Sequence, residues 1–441
     1  MKKIILLIVA LSTFLNANAT HLMGGEITWQ CIKDPLDPDV GKYIFTLKVY
    51  RDCSGTTLGT SPYDISVWDG SGSGPMDLIP VFFSSSTDIS PSCNSLLSGN
   101  DSLDCYGGAP NNQGAVEENV WISQPYQFPT GSIIPATGWH FTWDLCCRNG
   151  ALTNIQNPGS AGFTLRAAMF PYFDPVTGVQ VPADPCFDSS PIFNEIPKTI
   201  ICTGYPFAYS HNASDPELDS IWYSWAQPLD ELPFGALSFN PPVSPVFCTF
   251  VTLPPPATGY TFDEPLPGNP VLNDTTGEIS YTALAGNAGY FATVIKVEAY
   301  KCDQLVASIY RDIQVVLIDC DPMSNGLVNN EPNISAPIGT QAWTTIFNPS
   351  SGLPSYSTTV NSGDLVTFNI IGEDLDVFPN GAPQDVTMEI SGGQMAEDYV
   401  TNFLCDNPPC ATFTDFSGNP PPIIFPETAE GMFEWQTDCN Q

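Results

Sequence analysis

Positive charge is what this chain has least of: 12 lysines and arginines face 47 aspartates and glutamates, a formal charge of −35, with three histidines besides. Such a surface repels phosphate backbones and anionic lipid head groups, which argues against nucleic acid and membrane surfaces as partners. Downstream of the N-terminal leader no apolar run approaches the ~20 residues that cross a bilayer as a helix, so no transmembrane segment is expected. Catalytic signatures are missing as well. There is no G-x-S-x-G elbow, no H-E-x-x-H and no G-x-x-x-x-G-K-[ST], and Gly70-Ser71-Gly72-Ser73-Gly74 lacks the strand-to-helix setting of a dinucleotide loop. Neither an enzyme nor an organic cofactor is expected from this pattern. An extracellular hydrolase built on paired carboxylates is the weaker alternative, because that spacing exists only in three dimensions and an acidic chain offers many chance pairs. Long helices are disfavoured too, since 43 prolines and 35 glycines interrupt the backbone pattern they need.

What is present begins with an export signal. Lys2 and Lys3, the apolar run from Ile4 to Leu11, and Ala17-Asn18-Ala19 make a three-part leader with cleavage expected after Ala19. The first cysteine is Cys31, too far downstream to carry a lipid at that cleavage point. Fourteen cysteines that leave the reducing cytosol read as disulfide partners. Their pairing is open, with Cys93/Cys105 and Cys405/Cys410 as first expectations for local staples. Cys146 and Cys147 are adjacent, and neighbours on a strand point to opposite faces, so bridges to two different partners are expected, with a vicinal bridge as the alternative. Zinc is disfavoured: C-x-x-C spacing is absent and only His21, His140 and His211 offer imidazole.

With 42% hydrophobic and only 13% charged residues the chain has the composition of a folded protein, not of an acidic tail. The expected class is all-β: tandem β-sandwich domains, immunoglobulin/cadherin-like, stapled by disulfides. Tyr43 to Tyr50 alternates with Tyr43, Phe45, Leu47 and Val49 on one face, Ile309 to Ile318 reads similarly, and Trp139, Phe141 and Trp143 share one face of a third strand. Core packing best explains those three aromatics, although an exposed set, or Trp222 with Trp225, would suit a sugar platform. Breaks in pattern suggest a leader (1–19), a cysteine-rich β-sandwich (20–192), a cadherin/immunoglobulin-like sandwich (193–320) and a second, C-terminally incomplete sandwich (321–441). The last two blocks echo each other. Pro206-Phe207-Ala208-Tyr209 leads into Asp215, Glu217 and Asp219, and Leu365-Val366-Thr367-Phe368 leads into Asp374, Asp376 and Asp385. Each acidic set is a candidate ligand group for one hard cation, calcium being the candidate cofactor and a solvated turn the alternative. Asp34, Asp37 and Asp39 read as an exposed, proline-punctuated loop.

Four segments carry a family likeness: T-H-L-M-G-G-E-I-T-W (Thr20 to Trp29), F-T-L-K-V-Y-R-D-C (Phe45 to Cys53), W-D-L-C-C-R-N (Trp143 to Asn149) and S-I-Y-R-D-I-Q-V-V (Ser308 to Val316). Together they resemble the opening of large Bacteroidetes surface proteins labelled gliding-motility-associated or adhesin-like, with PKD or immunoglobulin-like repeats. The resemblance implies secretion by the type IX route, through the periplasm to the outer surface or beyond, and an extracellular protein or glycan as partner. The second block also resembles the dystroglycan-type cadherin-like fold, with Asp215-Pro216-Glu217-Leu218-Asp219 standing where that family has D-P-D-G-D. Here Glu217 replaces an aspartate and Leu218 the turn glycine that a tight calcium loop uses. The expected function is therefore a non-catalytic secreted or cell-surface adhesin-like or structural protein, with a carbohydrate-binding surface protein as the alternative.

Overall fold

Strict alternation makes strands here. In Tyr43–Asp52 the side chains of Tyr43, Phe45, Leu47 and Val49 are fully buried while Ile44, Thr46 and Lys48 between them are half-exposed. The computed structural model describes residues 22–90, 104–107, 115–197, 199–204, 206–252, 259–282, 286–318, 332–347, 354–377, 381–396, 398–403, 405 and 408–438. The expected leader (1–19) and Cys93 lie outside these residues.

The chain is all-β, with one short 3-10 turn (Pro158–Ser160) among the described residues. The first block contributes β1 (Leu22–Cys31), β2 (Tyr43–Asp52), β3 (Tyr63–Trp68), β4 (Asp77–Asp88), β5 (Val116–Ser123), β6 (Trp139–Leu145) and β7 (Phe163–Met169). Next come β8 (Ile192–Phe193), β9 (Ile200–Cys202), β10 (Pro206–Ser210), β11 (Ala213–Ser214), β12 (Ser220–Trp225), β13 (Val271–Leu272), β14 (Glu278–Thr282), β15 (Gly289–Lys301) and β16 (Gln304–Ile318). The remainder holds β17 (Asn333–Ile334), β18 (Ile338–Gly339), β19 (Thr344–Phe347), β20 (Pro354–Ser357), β21 (Leu365–Glu373), β22 (Asp385–Met388), β23 (Thr412–Thr414), β24 (Ile423–Pro426) and β25 (Thr428–Gln436).

One large sheet runs β1-β2-β5-β4-β3-β6-β7-β16-β15-β12. Strand β16 organises it. One edge pairs with β15 along nearly the whole strand, and the other meets β7 at 307–309, β1 at 312–313 and β9 at 316–318. The seven strands from β1 to β7 therefore curl until both ends reach the same edge of β16. Hydrogen bonding thus crosses the boundary expected between residues 192 and 193.

The approach is close enough to require glycine. A Cβ on Gly24 would lie 2.0 Å from the Asp312 carbonyl oxygen, and one on Gly25 would lie 2.4 Å from that of Lys48. The expected alternation of 309–318 gives way to burial on both faces, because β16 is paired on both edges and covered. Arg311, Asp312 and Gln314 are inside, not in solvent.

Trp29, Phe45, Phe141, Phe128 and Trp139 pack in a chain of tilted rings 4.4–6.5 Å apart. Trp139, Phe141 and Trp143 are 3%, 0% and 4% exposed, so all three are core. The last block has its own core of Val386, Met388, Phe413, Ile423 and Ala429, between β21, β22, β23, β24 and β25.

Disulfides fasten this frame. Cys31–Cys186 ties the end of β1 to the loop before β8, and Cys405–Cys410 closes a loop in the last block. Cys105 is bridged to Cys53, not to the nearer Cys93. Tertiary structure explains the difference: Cys53 directly follows β2 and bonds through its N–H to the Ala115 carbonyl, while the Cys105 N–H is held by Asp88 at the end of β4, so the partners meet beside β5. Cys146 and Cys147 bridge each other instead of two separate partners. Strand β6 stops at Leu145, so the opposite-face rule no longer governs the pair, whose peptide bond is cis.

Candidate functional site

Three of the four segments that carry the resemblance meet in buried ion pairs, and the other places a buried arginine on a glutamate outside them. From G-G-E-I-T-W comes Glu26, which accepts from Arg311 Nε and Nη2 of Y-R-D-I-Q at 2.5 and 3.1 Å. Arg148 of C-C-R-N forms a second bidentate pair with Asp312 at 2.6 and 3.1 Å. Arg51 of V-Y-R-D-C donates to Glu117 at 2.6 Å. Burial pushes the Glu26 carboxyl up, but the Arg311 and Lys48 charges outweigh it and hold Glu26 below the ordinary glutamate range. Arg311 also donates to the Glu195 carbonyl at 2.7 Å and lies over the Phe193 ring, joining β1, β8 and β16. These residues serve the frame. Their side chains are buried among the strands that they join.

The acidic set Asp215, Glu217 and Asp219 lies in the loop between β11 and β12 and is joined there by Asp188. Asp215 Oδ1 accepts the backbone N–H groups of Glu217 and Asp219 at 2.9 and 3.1 Å, which folds the loop around its carboxylate. Leu218 completes that turn at φ 61, the left-handed conformation for which a glycine is the ordinary choice. Burial pushes Asp215 up to about 7, the Asp219 and Glu217 charges adding to the rise. Asp188 is 1% exposed; burial pushes it up as well, against the pull of Lys301.

Two lysines neutralise this loop. Lys301 Nζ lies 2.9 Å from Asp188 Oδ1 and 2.5 Å from Asp219 Oδ2, and Lys33 Nζ donates to Glu217 Oε1. Glu217 further accepts from the Ser189 hydroxyl and backbone N–H at 2.9 and 3.1 Å. A calcium ion needs six to eight oxygens facing inward, and here ammonium groups occupy those of three carboxylates. The residues as arranged do not fit the ion that the sequence pattern suggests. Asp188 and both lysines escape sequence reasoning: Asp188 belongs to D-P-C-F-D-S-S, 27 residues before Asp215, and no local pattern connects it to Lys301. The scarcity of lysine is the one available hint.

The second acidic set is not brought together in the same way. Asp374 is buried and its Oδ1 accepts the Asp376 N–H at 2.9 Å, repeating the Asp215 turn, while Asp385 sits on β22 with its side chain exposed. Among the described residues no three His, Cys, Asp or Glu side chains are grouped to hold a metal ion. Asp34 and Asp37 cap their own loop through the N–H groups of Leu36 and Asp39, and Asp39 pairs with Lys42.

Of the tryptophans considered for sugar stacking, Trp139 and Trp143 are buried, whereas Trp222 is 47% exposed on β12, the outermost strand of the large sheet. It stands opposite Glu298 of β15, whose carboxylate pairs with Lys296 at 2.8 Å, and Ser224 and Ser220 flank it. His211 is fully buried between Phe193 and Tyr209, with neither ring nitrogen hydrogen-bonded, and burial holds it well below 6.5 and neutral.

No protein-family model matches the chain, and no curated protein matches it either. No helix among the described residues is long and apolar enough to cross a membrane.

Proposed function

We propose that this chain is an exported, non-catalytic surface protein of adhesin-like or structural type, whose β-blocks hold and space a binding face outside the cell. The Cys31–Cys186 and Cys53–Cys105 bridges, spanning 155 and 52 residues, carry this reading, because structural disulfides form and persist in oxidising compartments and are rare in the reducing cytosol. The use of buried carboxylates supports it: Glu26, Glu117 and Asp312 are engaged by guanidinium groups inside the frame, where loss of either partner would leave an unpaired buried charge. The family likeness adds the type IX route and association with gliding motility. The test is protease treatment of intact cells with the tagged chain in a Bacteroidetes host. Loss of the tag from intact cells, or its recovery from the medium, together with weakened surface attachment of a deletion strain, is expected. A chain that stays protected inside intact cells removes the proposal.

One observation favours a glycan as the ligand. Trp222 presents an indole to solvent beside Glu298, Lys296, Ser220 and Ser224, an apolar face flanked by hydrogen-bonding groups of the kind that stacks on a pyranose ring. Glycan-array binding lost in Trp222→Ala, with the melting temperature unchanged, is the expected result; equal glycan binding by the variant would move the glycan site away from Trp222, and no glycan binding by the unaltered chain would remove the glycan reading.

A further inference from the structure

Among the described residues every lysine and arginine pairs with a carboxylate except Arg166 of β7. Its guanidinium lies over the Tyr310 ring, 3.9 Å from the centroid, and its hydrogen bond from Nη2 to the Gln227 carbonyl is long at 3.4 Å. Stacking fixes the plane of the group and leaves most of its five N–H donors unspent along the edge. A recess of about 200 Å³ adjoins it, with Thr164, Gln227, Tyr310 and Asp312 in its lining. The Asp312 carboxylate is committed elsewhere, since both of its oxygens accept from Arg148. Strand register puts Arg166 on the sheet face that carries Trp222. Trp222 stands opposite Glu298, Glu298 opposite Ser308 and Ser308 opposite Ala168, and Arg166 is two residues from Ala168 along β7. Three strand spacings of about 4.8 Å, from β12 through β15 and β16 to β7, set the two side chains about 14 Å apart across the sheet.

We propose that the glycan held at Trp222 carries a single sugar carboxylate and that Arg166 is the residue that binds it. This rests on the reading of Trp222 as a glycan-stacking residue and adds the chemical class of the ligand. One pyranose ring stacks on the indole at β12, and the following units run across Lys296 and Tyr310, which stand opposite each other, to reach β7. A guanidinium fork takes a carboxylate through two parallel charge-assisted N–H bonds, which a sugar hydroxyl in the same place does not match. The charge of the whole chain sets the number of acidic groups. With 47 acids against 12 bases a densely charged polymer is repelled, whereas one carboxylate meets a local cation while charges beyond about 8 Å are screened at physiological salt. A largely neutral glycan with one acidic sugar satisfies both conditions.

A glycan array probed with the full chain at about 0.15 M salt tests this. The probes are neutral oligosaccharides ending in one glucuronic, galacturonic or sialic acid, each printed beside the same glycan with that carboxyl reduced to a hydroxymethyl group. Wild type is expected to bind the acidic member of at least one pair about tenfold or more tightly, the worth of one charge-assisted hydrogen bond, and to lose that preference as salt is raised to about 1 M. Arg166→Lys keeps the charge without the fork and should weaken the preference. Arg166→Gln should bind both members equally, at the wild-type strength for the reduced one, and Trp222→Ala should lose both. Equal binding of the two members by wild type would overturn the role of Arg166 and leave the glycan reading standing; that comparison needs no variant and so does not depend on whether Arg166→Gln folds. An acidic preference that survives in Arg166→Gln would overturn it as well. Binding of neither member of any pair by wild type would remove the glycan reading and this assignment together.

Discussion

Glutamine at position 26 tests the buried frame most sharply. Glu26 and Arg311 are 2% and 1% exposed at their side chains, come from strands 285 residues apart, and share two hydrogen bonds across the place where β1 meets β16. Glu26→Gln keeps the shape and removes the charge. Arg311 is then left buried with a neutral partner, and Lys48, 3.9 Å from Glu26, becomes a second cation facing it. Breaking one side of such a pair costs about 3–5 kcal/mol, a large fraction of the ~5–15 kcal/mol that holds a domain folded. The double variant Glu26→Leu/Arg311→Met removes both charges and is expected to cost far less than the two single changes combined, with a coupling of at least about 2 kcal/mol. Urea unfolding followed by tryptophan fluorescence suits the measurement, because Trp29, Trp121, Trp139 and Trp143 are all buried in the block that the pair closes. A Glu26→Gln chain within about 1 kcal/mol of wild type, or single losses that simply add, would refute the assignment of this pair as the lock between β1 and β16.

Three further outcomes are expected. Leu218→Gly relieves a left-handed backbone at a 52%-exposed side chain and should raise stability by about 1 kcal/mol in the same urea assay. Asp215 ionises near 7 in the fold against an ordinary 3.8, so the unfolded chain loses its proton first and stability falls as pH rises from about 4 through about 7, by up to about 4 kcal/mol. Asp215→Asn keeps the acceptor for the Glu217 and Asp219 N–H groups and should flatten that part of the pH profile. His211 behaves oppositely: held well below 6.5 by burial, it makes the fold weaken as pH falls beneath 6.5, because the unfolded chain takes up the proton first. His211→Phe removes two unpartnered ring nitrogens and should gain about 1–2 kcal/mol at pH 5, measured by thermal melts across pH.

Local pattern made part of this fold legible. The alternation of Tyr43 to Tyr50 and the spacing of Trp139, Phe141 and Trp143 point to inward faces because period two is a property of the strand itself. Strand β16 was not legible in that way. Its polar residues look solvent-facing until Glu26 and Arg148, far away in sequence, supply their partners. The same limit applies to the cysteines: a five-residue staple such as Cys405–Cys410 is a local matter, whereas the Cys53 partner depends on where β4 and β5 lie. At the acidic loop the alternation of Asp215, Glu217 and Asp219 marks a concentration of charge but not what neutralises it. Lys301 reaches the loop only because the β15–β16 hairpin ends beside β12. The segments 20–29, 45–53, 143–149 and 308–316, for their part, contain residues that hold strands together, so they identify the frame more readily than any binding face.

Peptide mapping without reduction, on protein recovered from outside the cells, tests the exported and disulfide-closed architecture most directly. The peptides containing Cys31 and Cys186, Cys53 and Cys105, and Cys405 and Cys410 should be recovered as crosslinked pairs that separate only on reduction. Recovery of these cysteines as alkylated free thiols before reduction would contradict the account.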